Sequence, residues 1–180
     1  TLCIHYLAQI YKLLPSSELK NALQCSLEFL QYFLHPDGSF GGEYGSRRTE
    51  VYYPGGIALL ADEFSLAAAM HRFMRDSIEH ATTVTLIDID MGNTAPLLSS
   101  TILSLGARCM EMPESTLPFQ QDQLCKSFPQ AGIAVYATRR YYALVGASNG
   151  GVLKIFDKQT KKLVEDDCGS LAETQRGKWI

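Results

Sequence analysis

The fold class turns on residues 131–158, which read AGIAVYATRRYYALVGASNGGVLKIFDK. In three runs of this segment, β-branched and aromatic residues recur with a period close to two, which is typical of half-buried strands. Ser148–Gly151 joins the second and third runs, and its Asn-Gly pair favours the positive φ angles of a tight hairpin. A second turn at Asp157–Thr160 and a short strand at Lys162–Glu165 follow. The pattern predicts an antiparallel sheet over residues 131–180.

Upstream of residue 110, apolar residues recur at helical spacing instead. The first predicted helix covers residues 2–14, and the second begins at a Ser16 or Ser17 cap and ends at Pro36. Two further helices are predicted at residues 57–64 and 65–80. The last covers residues 97–105, with Pro96 in its first turn. Residues 82–89 suit either a strand or an extended connector.

A polar stretch with several prolines separates the two patterns. Residues 111–130 contain Pro113, Pro118 and Pro129 and are predicted to form a linker. Helices that come first and strands that come afterwards predict an α+β protein of two modules. The helical module covers residues 1–110, and an antiparallel β domain begins within residues 131–180.

Composition narrows the function classes. The chain has 180 residues, of which 46% are hydrophobic and 19% charged, and a formal net charge of -3, which suits a globular protein and gives no basic field for nucleic acid. No run approaches the roughly 20 apolar residues of a membrane span. The five cysteines lie far apart without zinc-ligand spacing, so we predict no metal and no cofactor. Because the chain opens at Thr1 directly in a helical pattern, we expect a fragment of a longer protein.

The loop from His35 to Gly56, HPDGSFGGEYGSRRTEVYYPGG, is where we expect the chemistry. It is much longer than an ordinary connection between helices, and loops of such length are usually functional or disordered. Its aromatic residues argue against disorder. The sequence therefore predicts that this loop lines a ligand site and that the rest of the chain is scaffold.

Several segments together resemble a known family. They are an amphipathic helical hairpin, DGSFGGEYGSRRT at residues 37–49, YYPGG at residues 52–56, and GGVLKIF at residues 150–156. In these features the chain resembles the heparinase II/III-like polysaccharide lyases and their uncharacterised relatives. The resemblance implies the end of an (α/α) toroid of helical hairpins, followed by the start of an antiparallel, sandwich-like β domain. It also implies a Tyr or His that abstracts a proton and polar or basic groups at a uronate carboxylate.

β-Elimination from an acidic glycan needs a cation at the uronate carboxylate and a base within hydrogen-bond reach of the neighbouring proton. An arginine fork matches a carboxylate, and a tyrosine beside a cation can move the proton. The catalytic candidates are Tyr44, Arg47, Arg48, His35 and Tyr52. The substrate-binding candidates are Phe40, Glu43, Tyr53 and Asp37. The expected partner is an acidic polysaccharide or oligosaccharide.

The same residues allow other functions. A toroid glycoside hydrolase would use two carboxylates, drawn from Asp37, Glu43 and Glu50. A non-catalytic carbohydrate-binding or scaffold protein of the same architecture would need only rings and hydrogen-bond donors. In a purely structural loop, Tyr44 and Tyr52 would serve as anchors.

A second polar break, at residues 90–93, interrupts the helical pattern. If the helices alternate up and down, this break lies at the opposite end of the bundle from the His35–Gly56 loop. We therefore expect Asp90 to be a helix cap rather than a member of the site.

Overall fold

A computed structural model describes residues 1–45, 49–107, 112–148 and 151–167. The chain divides into two compact units. Unit 1 comprises Thr1–Leu34, Gly38–Phe40 and Glu50–Leu117, and unit 2 comprises His35–Asp37, Gly41–Thr49 and Pro118–Ile180. The long loop therefore contributes residues to both units.

Unit 1 is helical. Its helices are α1 (Leu2–Leu13), α2 (Ser17–Leu30, extended by a turn of 3-10 helix at Gln31–Phe33), α3 (Pro54–Leu60), α4 (Ser65–Glu79) and α5 (Met91–Leu105). The short helix α3 is almost wholly buried and packs against α1, α4 and α5. None of the helices in the described residues is both long and apolar enough to cross a membrane.

Side-chain caps set the beginnings of two helices. The Ser16 hydroxyl accepts a hydrogen bond from Leu19 N at 3.1 Å, which confirms the predicted cap of α2. The Asp90 carboxylate accepts from Gly92 N at 2.9 Å and from Asn93 N at 3.2 Å, which confirms the predicted cap of α5.

The segment before Pro96 differs from the prediction. Helix α5 begins at Met91, so Pro96 lies inside the helix rather than in its first turn. The Asp90 cap explains the earlier start, because it satisfies amide groups at the beginning of the helix. Residues 82–89 form a connector of turns and bends and no strand.

Two glycines allow the helices of unit 1 to approach closely. A Cβ atom at Gly56 would lie 2.5 Å from both His5 Cα and the Ile4 carbonyl oxygen. A Cβ atom at Gly55 would lie 2.6 Å from the Ser100 carbonyl oxygen and 3.0 Å from His5 Nδ1. Helices α1 and α5 therefore both approach α3 at Gly55 and Gly56, and the Ser100 hydroxyl accepts a hydrogen bond from Gly55 N at 2.8 Å.

Unit 2 contains a five-stranded antiparallel sheet in the order β1-β2-β3-β4-β5. The strands are β1 (Gln123–Phe128), β2 (Ile133–Thr138), β3 (Tyr141–Gly146), β4 (Val152–Asp157) and β5 (Lys162–Asp167). The α+β class and the four strands predicted after residue 130 are confirmed. The prediction of a linker over residues 111–130 missed β1, which pairs with β2 along its whole length.

The sequence predicts two turns between these strands, and one of them lies wholly within the described residues. Asp157 Oδ1 accepts hydrogen bonds from Gln159 N at 2.8 Å and from Thr160 N at 3.1 Å, which confirms the turn before β5. The predicted Asn-Gly hairpin falls on residues 149–150, which lie outside the described residues.

One face of the sheet is buried. Its apolar members come from alternate positions of β2, β3 and β4: Ile133, Val135, Ala137, Tyr142, Leu144, Val152 and Phe156. The Gly41–Gly45 segment of the long loop approaches this sheet, since a Cβ atom at Gly146 would lie 3.1 Å from Tyr44 Cβ. A side chain at position 146 would push the loop away, so Gly146 allows Tyr44 to lie against β3.

Candidate functional site

The predicted site residues fall into three groups. His35, Asp37, Glu43 and Tyr44 belong to unit 2, whereas Phe40, Tyr52 and Tyr53 belong to unit 1. Arg47 and Arg48 lie outside the described residues.

Phe40 and Tyr52 are part of the unit 1 core. Their rings are in edge-to-face contact with centroids 5.4 Å apart, and both side chains are buried. Burial raises the pKa of Tyr52, and its hydroxyl has no hydrogen-bond partner among the described residues. A phenol that is harder to ionise is a poorer base, and a buried ring presents no face to a sugar. These observations argue against Tyr52 as a catalytic base and against Phe40 as a stacking platform.

Tyr53 connects the loop to the start of α5. Its hydroxyl donates to Asn93 Oδ1 at 3.2 Å, and Asn93 Nδ2 in turn donates to Asp90 Oδ2 at 2.7 Å. Burial, followed by the negative charge of Asp90, raises the pKa of Tyr53. Within unit 1 this part of the loop therefore contacts the 90–93 break.

Gly38 makes a second contact between the loop and the same connector. It has a φ of +92°, and a Cβ atom there would overlap the Thr82 hydroxyl. The expectation that the loop and the connector lie at opposite ends of the bundle was wrong. The reason is the length of the loop, which allows Gly38 and Tyr53 to reach residues on both sides of the 82–93 connector.

His35 and Tyr44 form a buried pair in unit 2. His35 Nε2 lies 2.7 Å from Tyr44 Oη, and the His35 ring stacks on Phe156 of β4 with centroids 4.4 Å apart and an interplanar angle of 22°. His35 is fully buried and Tyr44 nearly so. Two candidates that are nine residues apart in sequence are therefore joined directly by a hydrogen bond.

Lys154 of β4 lies beside this pair in the same unit. Its Nζ is 2.7 Å from Glu43 Oε2 and 3.8 Å from Asp166 Oδ2. Gly42 has a φ of +132°, and a Cβ atom there would lie 2.8 Å from Lys154 Nζ. The loop thus passes close to the ammonium group, and the positive φ of Gly42 is a backbone conformation that favours glycine at this position. We call His35, Glu43, Tyr44, Lys154 and Phe156 the sheet–loop cluster.

The surroundings of His35 fix its charge. Burial, and then the positive charge of Lys154, lower the pKa of His35 to about 3. The imidazole is therefore neutral near pH 7, and one ring nitrogen is a donor while the other is an acceptor. A neutral ring of this kind can hold a tyrosine hydroxyl in one orientation, but it is a weak base.

Sequence reasoning missed the contribution of β4 to this cluster. Lys154 is in phase with Val152 and Phe156, so the period of two places a charged residue on the buried face of the strand. A lysine at an inward position is unusual unless an anion accompanies it. A lysine at an inward position of β4 is therefore the sequence feature that could have identified Lys154. The same feature indicates that an acidic partner such as Glu43 lies beside it.

Among the described residues, no group of three or more His, Cys, Asp or Glu side chains is arranged to hold a metal ion. Cys3, Cys25 and Cys125 are free and exposed. Comparison with known proteins gives no relative: no family model, curated protein or solved structure matches the chain significantly.

Proposed function

We propose that this chain belongs to a polysaccharide lyase-like protein that cleaves an acidic glycan by β-elimination, with Tyr44 as the residue that transfers the proton. The observation that carries the proposal is the 2.7 Å contact between Tyr44 Oη and the Nε2 atom of the neutral, fully buried His35. In this proposal α1–α5 are hairpins at the end of an (α/α) toroid, and β1–β5 begin a sandwich-like domain.

The reaction removes the proton beside the uronate carboxylate and breaks the bond from the neighbouring carbon to the leaving oxygen. Tyr44 as phenolate takes the proton, and as phenol it returns a proton to the leaving oxygen. His35 is a positioning residue here rather than the base predicted from sequence, because its low pKa makes proton uptake unfavourable near pH 7. Its ring holds the Tyr44 hydroxyl at one place on the sheet.

The cation at the substrate carboxylate comes from Arg47 or Arg48 in this proposal. Lys154 is less suitable, because Glu43 already neutralises it at 2.7 Å. The same ion pair weakens the case for a glycoside hydrolase, since it commits Glu43 to holding the loop on β4. Two converging carboxylates are what hydrolysis would need.

A non-catalytic glycan-binding or scaffold protein is the second candidate. It is favoured by the burial of Tyr44, whose exposed fraction is 7%. In that case the His35–Tyr44 pair only anchors the loop to the sheet.

The test uses the full-length protein and uronate-containing polymers. β-Elimination produces an unsaturated product that absorbs in the ultraviolet, hydrolysis produces reducing ends without this absorbance, and binding retains the glycan without product. We expect Tyr44→Phe to lower turnover at least about 100-fold, the scale of a lost acid–base group. The matched control is Tyr136→Phe, on an exposed tyrosine of β2, which should leave turnover unchanged. Unchanged turnover in Tyr44→Phe would remove this residue from the mechanism.

A further inference from the structure

Lys154 occupies an unusual place in unit 2, on the buried face of β4 between Val152 and Phe156. Two carboxylates approach its ammonium group: Glu43 Oε2 of the loop at 2.7 Å and Asp166 Oδ2 of β5 at 3.8 Å. Asp166 is also its cross-strand neighbour in the pairing of β4 with β5. Apolar residues of similar volume often stabilise a core as well as a buried ion pair does, or better. Packing alone therefore does not account for a lysine at this position.

The ion pair fixes the turn that contains Tyr44. Glu43 directly precedes Tyr44 in the chain, and Gly45 N donates to the Gly42 carbonyl oxygen at 2.9 Å, which closes a tight turn around both residues. The Lys154 ammonium group lies against this turn, since a Cβ atom at Gly42 would be 2.8 Å from Nζ. Through its 2.7 Å contact with Glu43, Lys154 therefore holds the backbone next to Tyr44 on β4.

The positive charge of Lys154 also reaches the His35–Tyr44 pair. It is the second cause, after burial, of the low pKa of His35, so the contact with Glu43 leaves part of its field at the imidazole ring. His35 Nε2 is 2.7 Å from Tyr44 Oη. A charge that disfavours a cation on the ring favours an anion on an oxygen atom beside that ring. Lys154 therefore favours the phenolate form of Tyr44.

The charged groups around Tyr44 act in opposite directions. In the described part of unit 2, they are Glu43 of the loop, Lys154 of β4 and Asp166 of β5, together with His35, which is neutral near pH 7. The two carboxylates favour the protonated phenol, whereas Lys154 favours the phenolate. A test of Lys154 must therefore change the lysine while the number of carboxylates stays the same.

We propose that Lys154 is a positioning residue for the proton transfer by Tyr44: it holds the turn that contains Tyr44 on β4 and keeps a positive charge beside the phenol. This inference rests on the proposed β-elimination, because it gives a residue outside the long loop a part in that reaction. Lys154 does not touch the substrate, whose carboxylate is bound by Arg47 or Arg48 in the proposed function. Removing the lysine should therefore lower kcat more than it changes KM.

Two variants of the full-length protein that differ only at Lys154 test this role. Lys154→Met/Glu43→Gln is compared with Glu43→Gln, because neither variant leaves Glu43 as a buried anion without its lysine. The formation of ultraviolet-absorbing product from a uronate-containing polymer is measured across a range of pH. We expect the double variant to have a kcat at least about 10-fold below that of Glu43→Gln, with KM changed less than about 3-fold. The rising limb of its kcat–pH profile should lie at least about half a pH unit higher, because the phenolate has lost a cation.

A matched lysine and a folding measurement serve as controls. Lys162→Met removes an exposed lysine at the start of β5 and should leave kcat, KM and the pH profile unchanged. Amide hydrogen exchange in β4 shows whether the double variant is folded. A folded double variant with the kcat of Glu43→Gln would overturn the role of Lys154. A lower kcat with an unshifted limb would overturn it as well, since a smaller fraction of folded protein alone produces that result.

Tyr44→Phe in the same assay distinguishes failure of this inference from failure of the proposed function. Lost turnover in Tyr44→Phe, together with equal profiles for Glu43→Gln and the double variant, would overturn the role of Lys154 and leave Tyr44 as the residue that transfers the proton. Turnover that persists in Tyr44→Phe would overturn the proposed function and this inference with it. The same holds if the unsubstituted protein forms no unsaturated product.

Discussion

Lys154 Nζ lies 2.7 Å from Glu43 Oε2, and this ion pair joins β4 to the Gly41–Gly45 segment of the long loop. The exposed fractions of the two side chains are 8% and 16%, so water screens the pair weakly. A pair of this kind differs from the surface pair of Lys12 and Asp62, whose atoms are 2.8 Å apart but whose side chains are 33% and 49% exposed. The Lys154–Glu43 and Lys12–Asp62 pairs therefore compare a mostly buried ion pair with a more exposed one of nearly the same length.

Replacing one partner of the buried pair should be costly. We expect Lys154→Met to lower the free energy of unfolding of unit 2 by about 3 kcal/mol, because Glu43 then keeps its charge without this cation. The double variant Lys154→Met/Glu43→Gln should lose less than the single variant. Lys12→Met should cost at most about 1 kcal/mol. Chemical denaturation monitored by amide hydrogen exchange in β4 measures the first effect, and equal losses in Lys154→Met and Lys12→Met would contradict it.

A glycine in the middle of unit 1 sets the distance between two helices. Gly56→Ala would place a Cβ atom 2.5 Å from the backbone of α1, and backbone atoms cannot rotate away as a flexible side chain can. We expect a loss of about 2–3 kcal/mol of unfolding free energy, as for an overpacked core. Gly106→Ala is the control, since a Cβ atom there meets nothing closer than 3.8 Å. Denaturation midpoints measured by circular dichroism compare the Gly56→Ala and Gly106→Ala variants. Similar midpoints would contradict the prediction, because they would mean that α3 shifts enough to accommodate the added Cβ atom.

Much of this fold could be predicted from local patterns. The helices α1, α2 and α4 and the strands β2–β5 have strong periodicity and clear stop signals, and the structure confirms them. Strand β1 was missed because it is an edge strand with mostly exposed residues, so its sequence reads as polar, and because prolines flank the region. Its formation depends on pairing with β2, which is a tertiary effect that no local pattern expresses.

For a similar reason, the sequence identified only some of the residues that the structure brings together at the candidate site. Sequence reasoning selected His35, Glu43 and Tyr44, which the structure brings together with Lys154 and Phe156. It also selected Phe40 and Tyr52, which the structure buries in the other unit. Aromatic residues in a loop look alike in sequence whether they face a ligand or the core, and only the path of the chain distinguishes the two.

The Asp90 cap offers a test by a conservative pair of variants. Asp90→Ala removes the acceptor for Gly92 N and Asn93 N and should cost about 1 kcal/mol of unfolding free energy. Asp90→Asn keeps a side-chain oxygen at the same place and should retain most of the stability. Thermal denaturation of both variants measures the difference. Equal losses in Asp90→Ala and Asp90→Asn would mean that the negative charge, rather than the hydrogen bonds, stabilises the start of α5.

The buried His35 should make unit 2 sensitive to acid. Its pKa is about 3 in the folded state against an ordinary value of 6.5, so below pH 6.5 the unfolded chain binds a proton that the folded chain does not. The stabilisation is complete above pH 6.5 and is lost progressively as the pH falls toward 3, by up to about 1.4 kcal/mol per pH unit. The positive charge of Lys154, which is the second cause of the low pKa of His35 after burial, strengthens the effect.

The variant His35→Phe isolates this contribution, because it keeps a ring against Phe156 but cannot titrate. We expect the dependence of unit 2 stability on pH to flatten between pH 6.5 and 4 in this variant, whatever its stability at pH 7. Amide hydrogen exchange in β4 is the appropriate measurement, since the buried His5 and His71, whose pKa values burial also lowers, belong to unit 1. The control His80→Gln alters an exposed histidine of unit 1 and should leave the β4 profile unchanged. A profile equally steep in His35→Phe and in the unsubstituted chain would show that another group causes the acid sensitivity, and the argument that the His35 ring is held neutral against Tyr44 would then fail.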